Sequence, residues 1–562
     1  MAKLLLGPLL RHVGERDATV WVETDAPCEV EVRAGSGHGR DRTFTAAGHH
    51  YAIVVVSDLP PAEATPYEVL LDSQPVWPPA GSAYPPSRIG TIDPSRPIRL
   101  IFGSCREVAG RHPRGATRPA PDVLIAFATR MIAEDQAKWP DILILLGDQI
   151  YADETSPAMQ DFIRSRRDIK RPPKGEVANF EEYTQLYYES WGEPTVRWLL
   201  STLPSSMIFD DHDVRDDWNT SHAWRLDMQK TDWWEERITG ALMSYWIYQH
   251  LGNLGPEGIA ADETYQAIRN LPDAEAALRA FAQQADREAD GAKATMWSYR
   301  RDFGPVRLIV IDSRCGRVLA DGHRSMIGDA EFAWIEHQVE DGDFNHLVVA
   351  TSMPWLLPRA LHDIESWNEA LSAGSRGRLL ARIGEWVRRA VDLEHWAAFR
   401  TSFDRLAALF ARVGRGEHGG PAPATVTVIS GDVHHSYISE ADYDPPLESR
   451  VYQITCSPIN NTIPFEMRLV FHIGWSNTVE RVTLALGRLT RVPPLPIHWH
   501  HPSGPHFGNM LGLLILDGRS ARIRLHRATG TVAKPGEKSS ADIEIVADMS
   551  MTEARRVVTR AP

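Results

Sequence analysis

Two stretches of this chain end in the same way, and they restrict its fold more than any other feature. Asp141-Ile-Leu-Ile-Leu-Leu-Gly-Asp-Gln-Ile-Tyr151 and Thr425-Val-Thr-Val-Ile-Ser-Gly-Asp-Val-His-His435 are each an apolar run followed at once by Gly-Asp and a further ligand-bearing side chain. An unbroken apolar run of this length reads as a buried strand. A carboxylate fixed just past the end of a central strand suits a ligand site, because open α/β sheets collect ligands outside the carboxyl ends of their strands.

The neighbouring sequence repeats the pattern. Ile98 to Phe102 reads as a strand ending in Gly103-Ser-Cys105. Asp122 is placed to cap a helix in which Leu124, Phe127 and Met131 recur at helical spacing, and Ile142 to Leu146 follows as the next strand. Strand, helix, strand is the βαβ signature. Met207-Ile-Phe209 leads into Asp210-Asp-His-Asp213, and Arg307 to Ile311 and His346 to Ala350 are further strands. Residues 152–200, 219–300 and 365–415 read as largely helical, with a packed amphipathic helix from Asp232 to His250. After about residue 450 the pattern returns to β, at Val451 to Thr455, Val482 to Ala485, Leu511 to Leu516 and Ala521 to Leu525.

Residues 1 to about 90 differ from all of this. Ala18 to Glu23, Glu29 to Arg33, Ala52 to Val56 and Tyr67 to Leu71 are short β-branched runs separated by turn signals, the spacing of a small sandwich. Trp77-Pro-Pro-Ala and Tyr84-Pro-Pro-Ser read as a linker. The expected organisation is a β-sandwich over 1–92, a main domain over 96–530 with helical insertions, and a C-terminal extension over 531–562 with a mobile tail.

A length of 562 residues requires more than one unit. The net charge of −14 argues against a stable nucleic-acid partner, which needs Lys and Arg to neutralise phosphates. It leaves open a small anionic substrate, since bound metal ions reverse the local field. The four cysteines are far apart and form no CxxC, so neither a disulfide framework nor a structural zinc site is expected, and a reducing compartment fits. The opening Met-Ala-Lys-Leu-Leu-Leu-Gly-Pro-Leu-Leu reads as a first strand and not as a signal peptide, and no stretch reaches the length of a membrane span. A cytoplasmic protein is expected.

The strand ends supply what a pair of metal ions needs: a carboxylate that bridges both, several oxygen or nitrogen donors for each, and room for water and substrate. Asp148 offers the bridge, Tyr151 a phenolate to the same ion, His434 an imidazole, and Asp211 and Asp432 further carboxylates. Cys105 offers a thiolate only where a metal lowers its pKa. Asp210 and Asp213 read as flanking loop acids or caps. His435 points away from His434 at a strand end. His222, His250, His362 and His395 read as structural or solvated, and His498-Trp-His-His501 is too weak a pattern for a metal site. The tryptophans from Trp224 to Trp246 read as core.

Taken together the motifs resemble the calcineurin-like metallophosphoesterases, and among them the PhoD-type alkaline phosphatases. Gly103-Ser-Cys105 stands at the first motif position, Gly147-Asp-Gln-Ile-Tyr151 at the second, Asp210-Asp-His-Asp213 at the third and Gly431-Asp-Val-His434 at the last. Gly7-Pro-Leu-Leu-Arg11 with Ala18-Thr-Val-Trp-Val-Glu23 resembles the N-terminal β domain of these proteins, and Asp312-Ser-Arg314 their Asp-Thr-Arg stretch. Thr351-Ser-Met-Pro-Trp355 falls where the superfamily carries a lone histidine, so either Ser352 stands in its place or that ligand is missing.

The resemblance implies a four-layer αββα fold of two mixed sheets behind a small all-β, Ig- or fibronectin-like domain. It implies one ion, suited to Fe³⁺, on Cys105, Asp148, Tyr151 and His434. It implies a second, suited to Ca²⁺ (or Mg²⁺ or Mn²⁺), on Asp148, Asp211 and Asp432. The implied reaction is hydrolysis of a small phosphate ester by in-line attack of a metal-bound hydroxide. His212 would steady the transition state or protonate the leaving group, Asp213 would orient His212, and Arg106 would contact the phosphate. The rival readings are a phospholipase-D-like phosphodiesterase using the same site, a non-catalytic metal-binding scaffold, and a cysteine hydrolase built on Cys105.

Overall fold

The protein is seen here as a computed structural model. It describes residues 1–108, 121–291, 295–320, 323–340, 342–374, 377–461, 474–475, 479–481, 483, 493–530 and 541–553. Two mixed sheets lie face to face. The first has six strands in the order Ser205–Ile208, Ile142–Leu146, Ile98–Gly103, Met510–Asp517, Ser520–Thr529, Asp542–Ser550. Its first three strands are parallel and the rest antiparallel. The second has seven, in the order Tyr299–Phe303, Val306–Ile311, His346–Thr351, Thr425–Ser430, Arg450–Thr455, Ser436–Asp442, His498–His506. Val306–Ile311, His346–Thr351, Thr425–Ser430 and Arg450–Thr455 run parallel.

Side-chain alternation explains why the strands read as unbroken apolar runs. Leu100, Phe102, Ile144 and Leu146 point between the sheets, against Leu308, Val310, Val348 and Ile429. Ile101, Leu143 and Leu145 point the other way, into a helical layer that includes Val123, Phe127 and Met131. Leu347, Val349, Val426 and Val428 likewise meet Phe403, Leu406 and Phe410 of the helix Arg400–Gly414. Both faces of each sheet are therefore covered, giving the αββα layering. The helix Val123–Ala133 is capped as its sequence predicts, by Asp122 Oδ1 accepting from Leu124 N at 2.8 Å and Ile125 N at 3.3 Å.

The N-terminal region is a sandwich of two four-stranded antiparallel sheets. Val20, Val22, Val30, Val32, Val54 and Val69 fill its interior. Trp21, Tyr51 and Ile53 alternate to the outside and join the helical core, where Trp21 meets Tyr248 at 5.2 Å. Arg11 spans the junction, donating to Gln249 O at 2.7 Å and Asn253 Oδ1 at 3.1 Å. The Pro-rich stretch read as a linker is packed in the same way: Tyr84 stacks on Trp198, whose Nε1 donates to Pro85 O at 2.8 Å.

The helix expected from Asp232 to His250 is a helix over Trp234–Ser244 continued by a wide π-turn over Tyr245–His250. Except for Thr483, the strand expected at Val482 to Ala485 falls outside the described residues, as does the tail beyond Glu553. No helix among the described residues is long and apolar enough to cross a membrane.

Candidate metal centre

The parallel strands of both sheets end on one side of the molecule, and their following loops are tied together there. Cys105 N donates to Gly147 O at 3.3 Å, Arg106 N to Asp148 O at 3.0 Å, and Gly431 N to Ser352 O at 2.9 Å. Asp432 N donates to Ser104 Oγ at 3.0 Å, which joins one sheet to the other. This close approach explains the Gly-Asp pattern. A Cβ at Gly431 would lie 1.9 Å from Ser104 Oγ, and one at Gly147, where φ is +101°, would lie 2.6 Å from Asp210 Cβ. Four of the predicted ligands are themselves in the left-handed region: Cys105 (φ 58°), Asp148 (51°), Asp432 (68°) and His434 (52°). Each costs about 1–3 kcal/mol of backbone strain, and such strain clusters at functional sites.

Ligand oxygens of Asp148, Asp210, Asp211 and Asp432 close within 4.8 Å of one another, and a second group of Asp211, His212 and Asp216 shares Asp211. Asp148, Asp210 and Asp211 are buried. Asp148 Oδ1 and Asp210 Oδ2 are shielded from solvent and accept no hydrogen bond. Burial first, and the neighbouring carboxylates with it, push Asp148 and Asp210 well above the usual carboxylate range. For Asp432 burial works the same way, but the hydrogen bond and charge of His395, with Arg314, hold it down at about 2. Buried carboxylates this close cannot all ionise without added positive charge. An oxygen-rich, partly orphaned cluster fits a hard cation.

The remaining predicted ligands stand around this cluster. Cys105 Sγ accepts from Ser457 Oγ at 3.2 Å and lies 3.1 Å from Ser104 Oγ. Burial, with Asp148 and Asp432, drives its thiol pKa up. Tyr151 is buried, accepts from Asn461 Nδ2 at 3.2 Å and stacks on His212 at 4.7 Å. Burial and the proximity of Cys105 and Asp148 raise its phenol. His434 is driven down to about 4 by burial and by His212, so it is neutral, the metal-ligating form. Cys105 and His434 belong to neither of the two close groups. The acidic ligands therefore converge more tightly than the thiol and imidazole.

Several expected roles change hands. Asp213 does not orient His212. Its carboxylate accepts backbone N–H groups from Asp148, Gln149, Ile150 and Asp210 at 2.9–3.2 Å and so clamps two strand-end loops together. Asp153 holds His212 instead, with both oxygens 3.1 Å from Nδ1. Burial opposes protonation of His212, yet the charge and hydrogen bond of Asp153 raise it well above its ordinary value.

Arg106 is not free to meet phosphate through the atoms that bond here. Nε pairs with Asp122 at 2.8 Å and Nη1 donates to Ser190 O at 2.6 Å, so it braces the capped helix. Asp210, read as a flanking acid, is part of the cluster. Ser352 is buried against Ser313, Oγ to Oγ 2.8 Å, and offers no substitute imidazole.

Four residues at the site were not foreseen as part of it. His395, read as structural or solvated, places Nε2 at 2.9 Å from Asp432 Oδ2 and Nδ1 at 2.6 Å from Glu365 Oε1. Arg314, seen in the Asp-Ser-Arg stretch without a role, is fully buried and reaches Asp210 at 2.5 Å, Asp211 at 3.1 Å and Glu394 at 2.5 Å. Glu394 also pairs with Arg317 at 3.3 Å. Asp153 lies two residues past Tyr151, where loop proximity was the only signal. His395 and Glu394 come from a helix-rich segment with no motif around them. His435 turns its Nδ1 to Val433 O and its ring to Tyr437, while His500 and His501 bond along the edge strand.

Comparison with known proteins agrees with this architecture. A solved structure described as "Structure of PhoD" aligns with 97% of this chain and 89% of its own at 13% identity, with a TM-score of 0.58, a likeness of fold. A type III pullulan hydrolase from Thermococcus kodakarensis and a maltogenic amylase from S. marinus align over 96% and 95% of this chain (96% and 80% of theirs) at 10% identity. Their TM-scores of 0.16 and 0.14 carry no structural likeness. No curated protein matches the chain. Residues 1–89 match a domain of unknown function, DUF7800, which coincides with the sandwich. Residues 126–472, more than half of the chain, match the PhoD-like phosphatase family and contain all but one of the predicted ligands, so the chain belongs to the PhoD-like phosphatases.

Proposed function

We propose that the protein hydrolyses small phosphate esters with metal ions held at the strand ends. The observation that supports this best is the convergence of four carboxylates, two with buried oxygens that lack any partner. A scaffold without ions would leave those oxygens uncompensated at a cost of several kcal/mol. Asp148, Asp210, Asp211 and Asp432 would hold an ion of the Ca²⁺, Mg²⁺ or Mn²⁺ kind, and Cys105, Tyr151 and His434, with Asp148 shared, a ferric ion. Bound there, the ions would neutralise phosphate oxygens and activate a water.

The chain's own side chains supply the rest. Arg314 fixes Asp210 and Asp211 from behind and is saturated by carboxylates, so it orders ligands instead of binding substrate. His212, one-fifth exposed, held by Asp153 and grouped with Asp211 and Asp216, is placed to give a proton to the leaving oxygen. Stacking on Tyr151 fixes its plane.

Substitution of Asp148 by Asn tests this reading on purified protein. The expected result is a loss of at least about 10³-fold in hydrolysis of a nitrophenyl phosphate ester together with loss of bound metal by elemental analysis. A variant that keeps both metal and activity removes Asp148 from the centre. Tyr151→Phe is expected to abolish a visible tyrosinate–iron absorption band, and a band that persists refutes the phenolate.

A further inference from the structure

The helix Arg378–Ala390 faces the wrong way for a soluble protein. Such helices turn their apolar stripe to the core. Here Gly384 and Arg388 face inward. Arg388 pairs with Glu369 at 2.5 Å and Glu385 at 3.0 Å. A Cβ at Gly384 would lie 2.6 Å from Ser372 Oγ, so the helix packs closely on Arg359–Ser372 by its polar side. Positions 379, 383 and 386 fall on one edge of a helix, and here they carry Leu, Ile and Trp. Leu379 is 72% exposed and Trp386 70%, with Ile383, Leu380 and Val391 also in solvent. Single exposed apolar side chains are ordinary, but four on one short helix with a fifth, Val391, at its C-terminal cap make an interaction surface.

Charge identifies the partner. Arg378, Arg382 and Arg389 fall along one flank of the ridge, within an arc of about 40° at 100° per residue. Arg389 is paired with Asp227 at 2.9 Å, while Arg378 and Arg382 have no ion pair among the described residues. Trp, Leu and Ile on one side with arginines beside them is the chemistry of a helix lying in a lipid interface. We propose that this helix docks on an anionic phospholipid bilayer, with Leu379, Ile383 and Trp386 at the acyl boundary and Arg378 and Arg382 at headgroup phosphates. A second copy fits less well. A two-fold contact would set the same arginine flank against itself. The helix runs directly into Glu394 and His395, which touch Arg314 and Asp432, so docking would bring the metal centre to the bilayer surface. The inference stands on the helix alone and does not depend on the catalytic reading.

Co-sedimentation of the full chain with vesicles tests it. Binding is expected to vesicles of phosphatidylcholine with phosphatidylglycerol, less to phosphatidylcholine alone, and to weaken with salt. The exposed-residue variants Leu379→Ser/Ile383→Ser/Trp386→Ser and Arg378→Glu/Arg382→Glu should each lower partitioning roughly tenfold or more while leaving the unfolding midpoint unchanged. The proposal is overturned if the intact protein ignores both vesicles, or if both variants bind as the parent does. It is equally overturned if the protein is a dimer that the apolar variant dissociates and neither form binds lipid.

Discussion

At the scale of single residues, the centre is built from side chains held by other side chains. His212 illustrates this, since one carboxylate sets both its direction and its proton. Asp153 raises the His212 pKa, so His212 stays protonated to higher pH than a free imidazole. If it donates the leaving-group proton, activity falls as pH rises through its pKa, on the alkaline limb of the profile. Asp153→Asn removes the charge that raises it, and that limb should move to lower pH. A pH–rate profile of the variant measures this, and an unmoved limb takes the role away from His212.

His395 is the other case. It spans Glu365 and Asp432 where Ser352 leaves no superfamily imidazole. His395→Ala should weaken retention of the ion nearest Asp432 by about 10–100-fold, the usual cost of losing a residue that orients a ligand. Metal titration followed by elemental analysis reads this without relying on turnover. Retention equal to the parent would leave His395 as packing.

At the scale of elements, the glycines before the ligand acids matter as much as the acids. Gly431 is the point where the two sheets come closest, with Ser104 Oγ in the space a Cβ would need. Gly431→Ala must push Ser104 aside and with it the hydrogen bond to Asp432 N. A loss of about 1–3 kcal/mol in stability and a larger loss of metal affinity are expected, measurable by denaturant unfolding with and without added ions.

This element is also where sequence and structure agree best. Val426 and Val428 must face helices while Ile429 faces the other sheet, so covering on both sides wrote an unbroken apolar run that could be read directly. The Asp122 cap was readable for a similar reason, because both its hydrogen bonds are local. Asp213 was misassigned for the opposite reason. Its neighbour in sequence is His212, but its partners Asp148 to Ile150 come from another strand end. His395 lies 37 residues from Asp432, and Arg314 sits 104 from Asp210. No local pattern records a contact of that span. The Pro-rich stretch at 77–87 carried a turn signal that was real, but its packing on Trp198 depends on a helix more than a hundred residues away.

At the scale of the whole molecule, the site turns pH into a test of metal occupancy. Burial raises Asp213 to about 7 and Asp217 to about 9, and pushes Asp148 and Asp210 well up as well. In the unfolded chain these acids ionise near pH 4. For an acid whose folded pKa is raised, the contribution to stability is intact below the unfolded value and is lost as pH rises toward the folded one. The stripped protein should therefore become progressively less stable as pH rises from about 4 toward 9. Cations at the cluster favour the ionised carboxylates and draw the folded pKa values down, which removes the loss. Unfolding midpoints of chelator-treated and metal-loaded protein should consequently separate as pH rises, with a gap of several degrees by pH 8 that closes toward pH 4. Midpoints that run parallel across that range would mean that these four acids are compensated by the protein alone, and the orphaned oxygens of Asp148 and Asp210 would then need an explanation other than a cation.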